Sequence, residues 1–289
     1  MIIIHHAKNG MRQVADMQNI YAGQTALLVG GSPSLREQPI HLLEQRGVLT
    51  MAMNNAAVHF RPTMWVSGDN PACYEPQILL DPTIIKFANM PHADIDVCGR
   101  KFKNMPNMYF YMPETNVSWD EYLGIRGSVP WYNNTLFVGI HILYMLGVRR
   151  IILAGSEFGF SKEGSMYAHS TDQLGDFQKK WNLDLYNSLV RELRMLKPIF
   201  DQAGLKFMDC SKRSRISQVY DHISLESAVD LCLEGFPNEM ISSNKLPHCS
   251  KFAPVPIQQR IAQWPGHHVI GGFKPETVVP ATNKMQSIL

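Results

Sequence analysis

Three short stretches carry side chains that could hold a small polar ligand. The first is Gly30-Gly31-Ser32-Pro33-Ser34, which follows the apolar run TALLV. Glycine there permits positive φ and lets a ligand approach the backbone closely. Ser32 and Ser34 add hydroxyls, and Pro33 stiffens the turn. The second is Met53-Asn54-Asn55-Ala56 and the third Ser67-Gly68-Asp69-Asn70-Pro71. Asparagine offers a donor and an acceptor on one short side chain, which suits a nucleobase edge or a ribose hydroxyl. Asn and Asp are also common turn formers, and one such stretch would be no more than a tight turn. Three polar strand ends at one sheet edge point to a bound nucleotide or its phosphates. There is no GxxxxGK[ST] and no GxGxxG, so neither a P-loop enzyme nor a nicotinamide cofactor is indicated.

The elements that would position these stretches are legible as short Ile/Leu/Val runs between helical patterns. Strands are expected at Thr25–Gly30, Val48–Asn54, Met64–Gly68, Ile84–Ala88, Met108–Met112, Arg150–Gly155 and Leu205–Cys210. Helices are expected at Glu37–Arg46, at the strongly apolar Asn134–Leu146, and at Phe177–Ala203 with a break near Pro198. Strands alternating with helices predict an α/β, Rossmann-like, mostly parallel sheet flanked by helices. In such sheets ligands sit at the carboxyl ends of the strands, near a switch in strand order. Residues 1–235 read as the ligand-binding domain. Past that point seven prolines punctuate a stretch with little periodicity, and 236–289 reads as an extended arm able to wrap the domain or join a homo-oligomer.

The chain has 289 residues, 45% apolar and 18% charged, enough for a real core. No signal peptide or membrane span is read in it. Its five cysteines are scattered without a CxxC pair, which argues against a zinc site and for a reducing, cytoplasmic setting. A net charge of +2 argues against a bulk polyanion binder. Lys212, Arg213 and Arg215 form the one dense basic cluster and follow an expected strand end, where they would meet a pyrophosphate or an anionic acceptor; a solvated loop explains them equally well. Trp119, Trp131, Tyr132 and Trp181 lie in or near expected loops, where aromatics often stack on sugars or bases; Trp131 is the first of these to test. The adjacent pairs His5-His6 and His267-His268 suit chelation poorly, because strand neighbours point to opposite faces. Met51, Met53, Met105, Met108 and Met112 read as core filler.

GGSPSL, then MAMNNA, then WVSGDNP resembles the opening of bacterial sialyltransferases of the Campylobacter type. It also resembles the related domain of flagellin-modifying proteins and of an archaeal hydroxymethylpterin diphosphokinase. A second block extends the likeness: Gly127-Ser128-Val129, an apolar helix ending Leu146-Gly147-Val148, the strand RIILAG, Ser156-Glu157-Phe158, and Gly164-Ser165-Met166-Tyr167-Ala168. The resemblance implies a variant GT-A glycosyltransferase fold that uses a CMP-activated sugar as donor, with no metal and no cofactor. Asn54 and Asn70 match nucleotide-contacting asparagines, Thr135 or Asn134 matches a serine near the cytidine, and Tyr167 matches a tyrosine on the departing phosphate. Gly31 stands where the family has asparagine, Gly159 where it has a second tyrosine, and Glu157 where it has aspartate. The family's catalytic histidine has no aligned counterpart; His169 is the nearest, and Glu157 and Asp172 compete for the role of base. Asp94-Ile95-Asp96 has the form of a metal-binding DxD but lies in a polar stretch that reads as a solvated loop.

The expected function is thus sugar transfer from a nucleotide-activated, CMP-linked donor. Gly30, Gly31, Ser32, Ser34, Asn54, Asn70, Asn134 and Thr135 would bind the nucleotide. Tyr167, His169 and Glu157 would do the chemistry, and Trp131, Lys212, Arg213 and Arg215 would meet the acceptor, a glycan, a protein hydroxyl or a hydroxymethylated DNA base. Two other readings stand beside it. One is a pterin-type diphosphokinase using Mg²⁺ on Asp69, Glu157 and Asp172. The other is a nucleotide-binding module without catalysis.

Overall fold

The computed structural model describes residues 3–6, 12–45, 47–124, 127–132, 134–161, 164–168 and 176–234. The expected C-terminal arm, 236–289, lies outside these. Nine strands form the main sheet: β1 (Ile3–His6), β2 (Arg12–Ala15), β3 (Thr25–Val29), β4 (Thr50–Met53), β5 (Met64–Ser67), β6 (Ile85–Asn89), β7 (Met108–Tyr111), β8 (Arg150–Ala154) and β9 (Lys206–Asp209). Among the described residues four α-helices accompany them: α1 (Pro76–Leu80), α2 (Thr135–Met145), α3 (Asp176–Gln202) and α4 (Leu225–Leu233). The sheet order is β9-β8-β3-β4-β5-β6-β7-β1-β2. Its first seven strands are parallel. The β1–β2 hairpin adds an antiparallel edge, which the sequence patterning did not reveal. This is the expected α/β, Rossmann-like architecture.

Both faces of the central strands are covered, so β3 and β4 are buried throughout rather than alternating. β3 shows why. Ala26 and Leu28 enter the core shared with α2 and α3. Leu27 and Val29 enter the opposite core with α4. Helix α2 is buried almost all round, as an apolar helix without a polar face must be. Gly139 lets it settle on the sheet, because a Cβ there would stand 2.9 Å from Leu28 Cδ1. Met51, Met53, Met105 and Met108 fill the two cores, whereas Met112 is exposed.

Two helix expectations change. Glu37–Arg46 is not a helix: residues 33–45 instead form two 3₁₀ turns, Pro33–Glu37 and Ile40–Glu44. Pro39 lacks an N–H and drives Gln38 to an extended φ −104°, ψ 155°, so the helical run cannot pass. Conversely α3 continues through Pro198. Pro198 and Arg194 are both exposed, so the carbonyl left without a helical donor faces water. No helix among the described residues is long and apolar enough to cross a membrane.

At the amino edge of the sheet, Lys86 is fully buried on β6. Its Nζ donates to the carbonyls of Asp81 (2.6 Å), Pro106 (2.7 Å) and Ile84 (3.1 Å), tying together the loops that enter β6 and β7. Burial pushes its ammonium down to about 7. The unfolded chain therefore binds the extra proton between about pH 7 and the ordinary lysine value of 10.5, and stability rises with pH across that window. Lys86→Met leaves three buried carbonyls without this donor. It should lower stability at pH 7 by about 2 kcal/mol or more and flatten the rise above it, as read from denaturant midpoints at a series of pH values.

Candidate functional site

The chain turns away from β3 in opposite directions, to β4 on one side and to β8 on the other, so the strand order switches between β3 and β8. Val29 pairs with Ala154 and with Ala52, which brings the carboxyl ends of three strands level. Gly30 and Gly155 follow directly. Their backbones touch: a Cβ on Gly30 would lie 2.6 Å from the Gly155 oxygen, and one on Gly155 would meet the Gly30 oxygen. Gly155 also sits at φ +57°. The Gly30 N–H donates to Ala154 O (2.8 Å) and the Ser32 N–H to Gly155 O (2.9 Å), closing the crevice floor.

Above this floor opens a cavity of about 510 Å³. The glycine loop forms one wall, and the ends of β4 and β5, the start of α2 and the inner face of α3 form the others. Asn54 leaves β4 in the left-handed region, φ +52°, a conformation that asparagine tolerates better than most residues. Its Oδ1 lies 3.2 Å from Tyr74 Oη and accepts from Thr135 Oγ1 (3.4 Å), which leaves the amide donor of a cavity-lining side chain for a ligand. Tyr74 Oη also lies against Ser67 Oγ and donates to Asp69 Oδ2 at 3.1 Å. The Asp69 N–H returns to Ser67 Oγ at 3.1 Å. Burial, then the Asp69 charge, push the Tyr74 hydroxyl well above its ordinary value, so it stays a donor. Asn134 caps α2 by accepting from the Leu136 N–H (2.9 Å), which fixes the positive end of the helix at the cavity.

The segment before α3 crosses the glycine loop. The Ala168 N–H donates to Gly31 O at 2.7 Å, and Arg36 Nε donates to Ala168 O. This bracing sets Tyr167 at the mouth of the cavity, 41% exposed. Burial and the Asp69 charge raise its hydroxyl. Tyr186 of α3 lines the cavity beside it and is raised by burial and then by Tyr167.

Of the residues singled out in the sequence, Gly30, Gly31, Ser32, Asn54, Asn134, Thr135 and Tyr167 line this one cavity. Asn70 does not: it is exposed, and its Oδ1 accepts from the Ala72 N–H at 3.0 Å, while Asp69 faces the cavity. Ser34 and Glu157 are buried behind the loop, where neither side chain makes a well-formed hydrogen bond. Burial raises the Glu157 carboxyl, against the opposing pull of Ser34 and of Arg213, whose Nη2 is 3.9 Å away. Trp131 packs over Gly68 and the core rather than lining the cavity. The basic cluster is tied to the body. Lys212 Nζ donates to Glu37 O (2.6 Å), Arg213 pairs with the Glu37 carboxylate (2.7 Å), and Arg215 donates to Phe158 O (3.2 Å) and Asn187 Oδ1 (2.6 Å). Asp94 and Asp96 are exposed and paired with Lys103 and Lys101. His169 and Asp172 lie outside the described residues.

No protein-family profile matches the sequence, and no curated protein matches it significantly. Two solved structures are similar in fold. One is the sialyltransferase CstII from Campylobacter jejuni, solved with the substrate analogue cytidine-5'-monophosphate: 13% identity, 69% of this chain and 84% of that one covered, TM-score 0.39. The other is a mammalian sialyltransferase: 13% identity, 67% and 70% covered, TM-score 0.35.

Sequence reasoning missed Tyr74, Ser156, Asn182 and Tyr186 in the cavity lining. Tyr74 follows Ser67 by seven residues, past a 3₁₀ turn (Pro71–Cys73) that folds it back onto its own strand end. Asn182 and Tyr186, four residues apart on the amphipathic α3, carried a weak signal as polar groups on the helix's inner side. The glycine contact itself is testable. Gly155→Ala adds a methyl against the Gly30 backbone at positive φ. It should cost about 1–3 kcal/mol, seen as a lower thermal midpoint, while Gly23→Ala, with nothing within 4 Å of the added Cβ, serves as the positive-φ control with a smaller loss.

Proposed function

We propose that this protein transfers a sugar from a CMP-linked donor to an acceptor hydroxyl. The observation that carries the reading is the chemistry of the cavity wall. Among the described residues, the lining holds one carboxylate, Asp69, and no lysine, arginine or histidine. Its other polar groups are amides and hydroxyls: Asn54, Asn55, Thr135, Ser156, Tyr167 and Tyr186 among them. A nucleoside monophosphate ester carries a single negative charge, which neutral donors and a helix N-terminus can satisfy. A diphosphate or triphosphate doubles that charge or more, and calls for cationic side chains or a metal. The resemblance of the loop and strand-end motifs to Campylobacter-type sialyltransferases supports the same donor class.

The roles follow from position. The Asn54 amide and Thr135 hydroxyl meet the nucleoside. The Gly30–Ser32 loop and the α2 N-terminus face the phosphate. Tyr167, kept protonated by burial and by Asp69, donates to the phosphate as the glycosidic bond breaks, which lowers the barrier because charge develops there in the transition state.

CMP should raise the thermal midpoint without Mg²⁺ and more strongly than UDP or GDP. Asn54→Ala should weaken CMP binding about tenfold, roughly the worth of one buried hydrogen bond and its positioning. A stabilisation by ATP with Mg²⁺ and none by CMP would replace this reading with diphosphate transfer.

A further inference from the structure

General base chemistry at this site needs a side chain that can reach an acceptor arriving from solvent. We propose that Asp69 is that base; the inference rests on the sugar-transfer reading of the cavity. Asp69 is the only carboxylate lining the cavity among the described residues, and it sits at the exposed rim, where an acceptor enters after the donor has filled the interior. Three buried carboxylates elsewhere are placed for other work. Glu157 lies behind the glycine loop, Asp81 at the opposite edge of the sheet, and Asp209 at the end of β9, where it holds His222 Nδ1 at 2.9 Å.

The geometry around Asp69 is that of an oriented group rather than a loose surface charge. Its N–H donates to Ser67 Oγ, which lies against Tyr74 Oη, and Tyr74 Oη donates back to Asp69 Oδ2 at 3.1 Å. This ring fixes the side chain and occupies one carboxylate oxygen. The other, Oδ1, has no hydrogen-bond partner among the described residues and is open to an acceptor hydroxyl. Tyr74 Oη lies 3.1 Å from Asp69 Oδ2 and 3.2 Å from Asn54 Oδ1, so one hydroxyl sets the base relative to the nucleoside contact. A base held in this way meets an acceptor hydroxyl at the rim, and hydrogen-bond reach of the proton is the first requirement for general base catalysis.

The step balances. The acceptor oxygen forms a bond to the anomeric carbon while its proton passes to Asp69 Oδ1. The bond from the anomeric carbon to the phosphate oxygen breaks, and CMP departs with the electron pair, its phosphate oxygen held by Tyr167. Asp69 then releases the proton to solvent at the rim.

The test is Asp69→Asn, whose amide has the same size and still accepts from Tyr74. Binding of CMP is measured by calorimetry, and release of CMP from CMP-linked sialic acid is measured with water or an added glycan as acceptor. The expected result is CMP affinity close to wild type and turnover lower by about 100-fold or more. In Asp69→Ala, added formate should restore part of the turnover by supplying a carboxylate in the vacated space. Turnover of Asp69→Asn close to wild type overturns the proposal, as does full activity there beside loss in His169→Ala. A wild-type protein that releases no CMP from the donor sinks the sugar-transfer reading itself, and this inference with it.

Discussion

The backbones of Gly30 and Gly155 meet where the two halves of the sheet part, and that contact determines the rest of the site. A side chain at either position would push β3 and β8 apart at their carboxyl ends. With both reduced to backbone, the Ser32 N–H reaches the Gly155 carbonyl and the glycine loop lies flat across the switch point. The loop then offers its Gly31 carbonyl to Ala168, which positions Tyr167 over the opening. A close backbone approach at one strand end is thus relayed through two hydrogen bonds to a side chain more than a hundred residues away in sequence.

The opposite wall depends on a single hydroxyl. Tyr74 joins Ser67, Asp69 and Asn54, and through Asn54 it joins Thr135. A network of this kind, half-buried in the cavity wall, holds one arrangement. It works only while the phenol keeps its proton, and burial beside Asp69 ensures that. Burial, and then the same carboxylate, raise Tyr167. Both phenols therefore keep their protons at the cavity wall. The protein's one dense run of cationic residues, 212–215, is meanwhile bound to Glu37, Phe158 and Asn187 behind the loop.

The strand ends were legible because a parallel strand buried on both faces is a short apolar run, and its first polar residue marks the sheet edge. That logic located Gly30, Asn54 and Gly155 from composition alone. It did not resolve which side chain of an edge stretch faces the ligand. In Ser67-Gly68-Asp69-Asn70-Pro71, the demand of the following 3₁₀ turn for a capping acceptor takes Asn70 and turns Asp69 toward the cavity. Alternation across the loop likewise buries Ser34 beneath it while Ser32 stays in the wall. Tyr74 and Tyr186 were hidden for a different reason. Each reaches the site through a tertiary contact, and neither carries a local motif. The helix expected over Glu37–Arg46 does not form because Pro39 interrupts its apolar spacing.

Glu157 shows how a residue adjacent to the site in sequence can serve the scaffold instead. It follows Ser156, which lines the cavity, yet its carboxylate is buried behind the loop beside Ser34 and Arg213. Arg213 pairs more closely with Glu37, at 2.7 Å against 3.9 Å for Glu157. The three groups link the turn after the glycine loop to the loop after β9, on the side opposite the cavity. Arg213 adopts φ +58° to make this reach, a backbone cost that a non-glycine residue bears when its surroundings fix it. Buried and turned toward these two loops, Glu157 joins parts of the scaffold rather than the cavity lining.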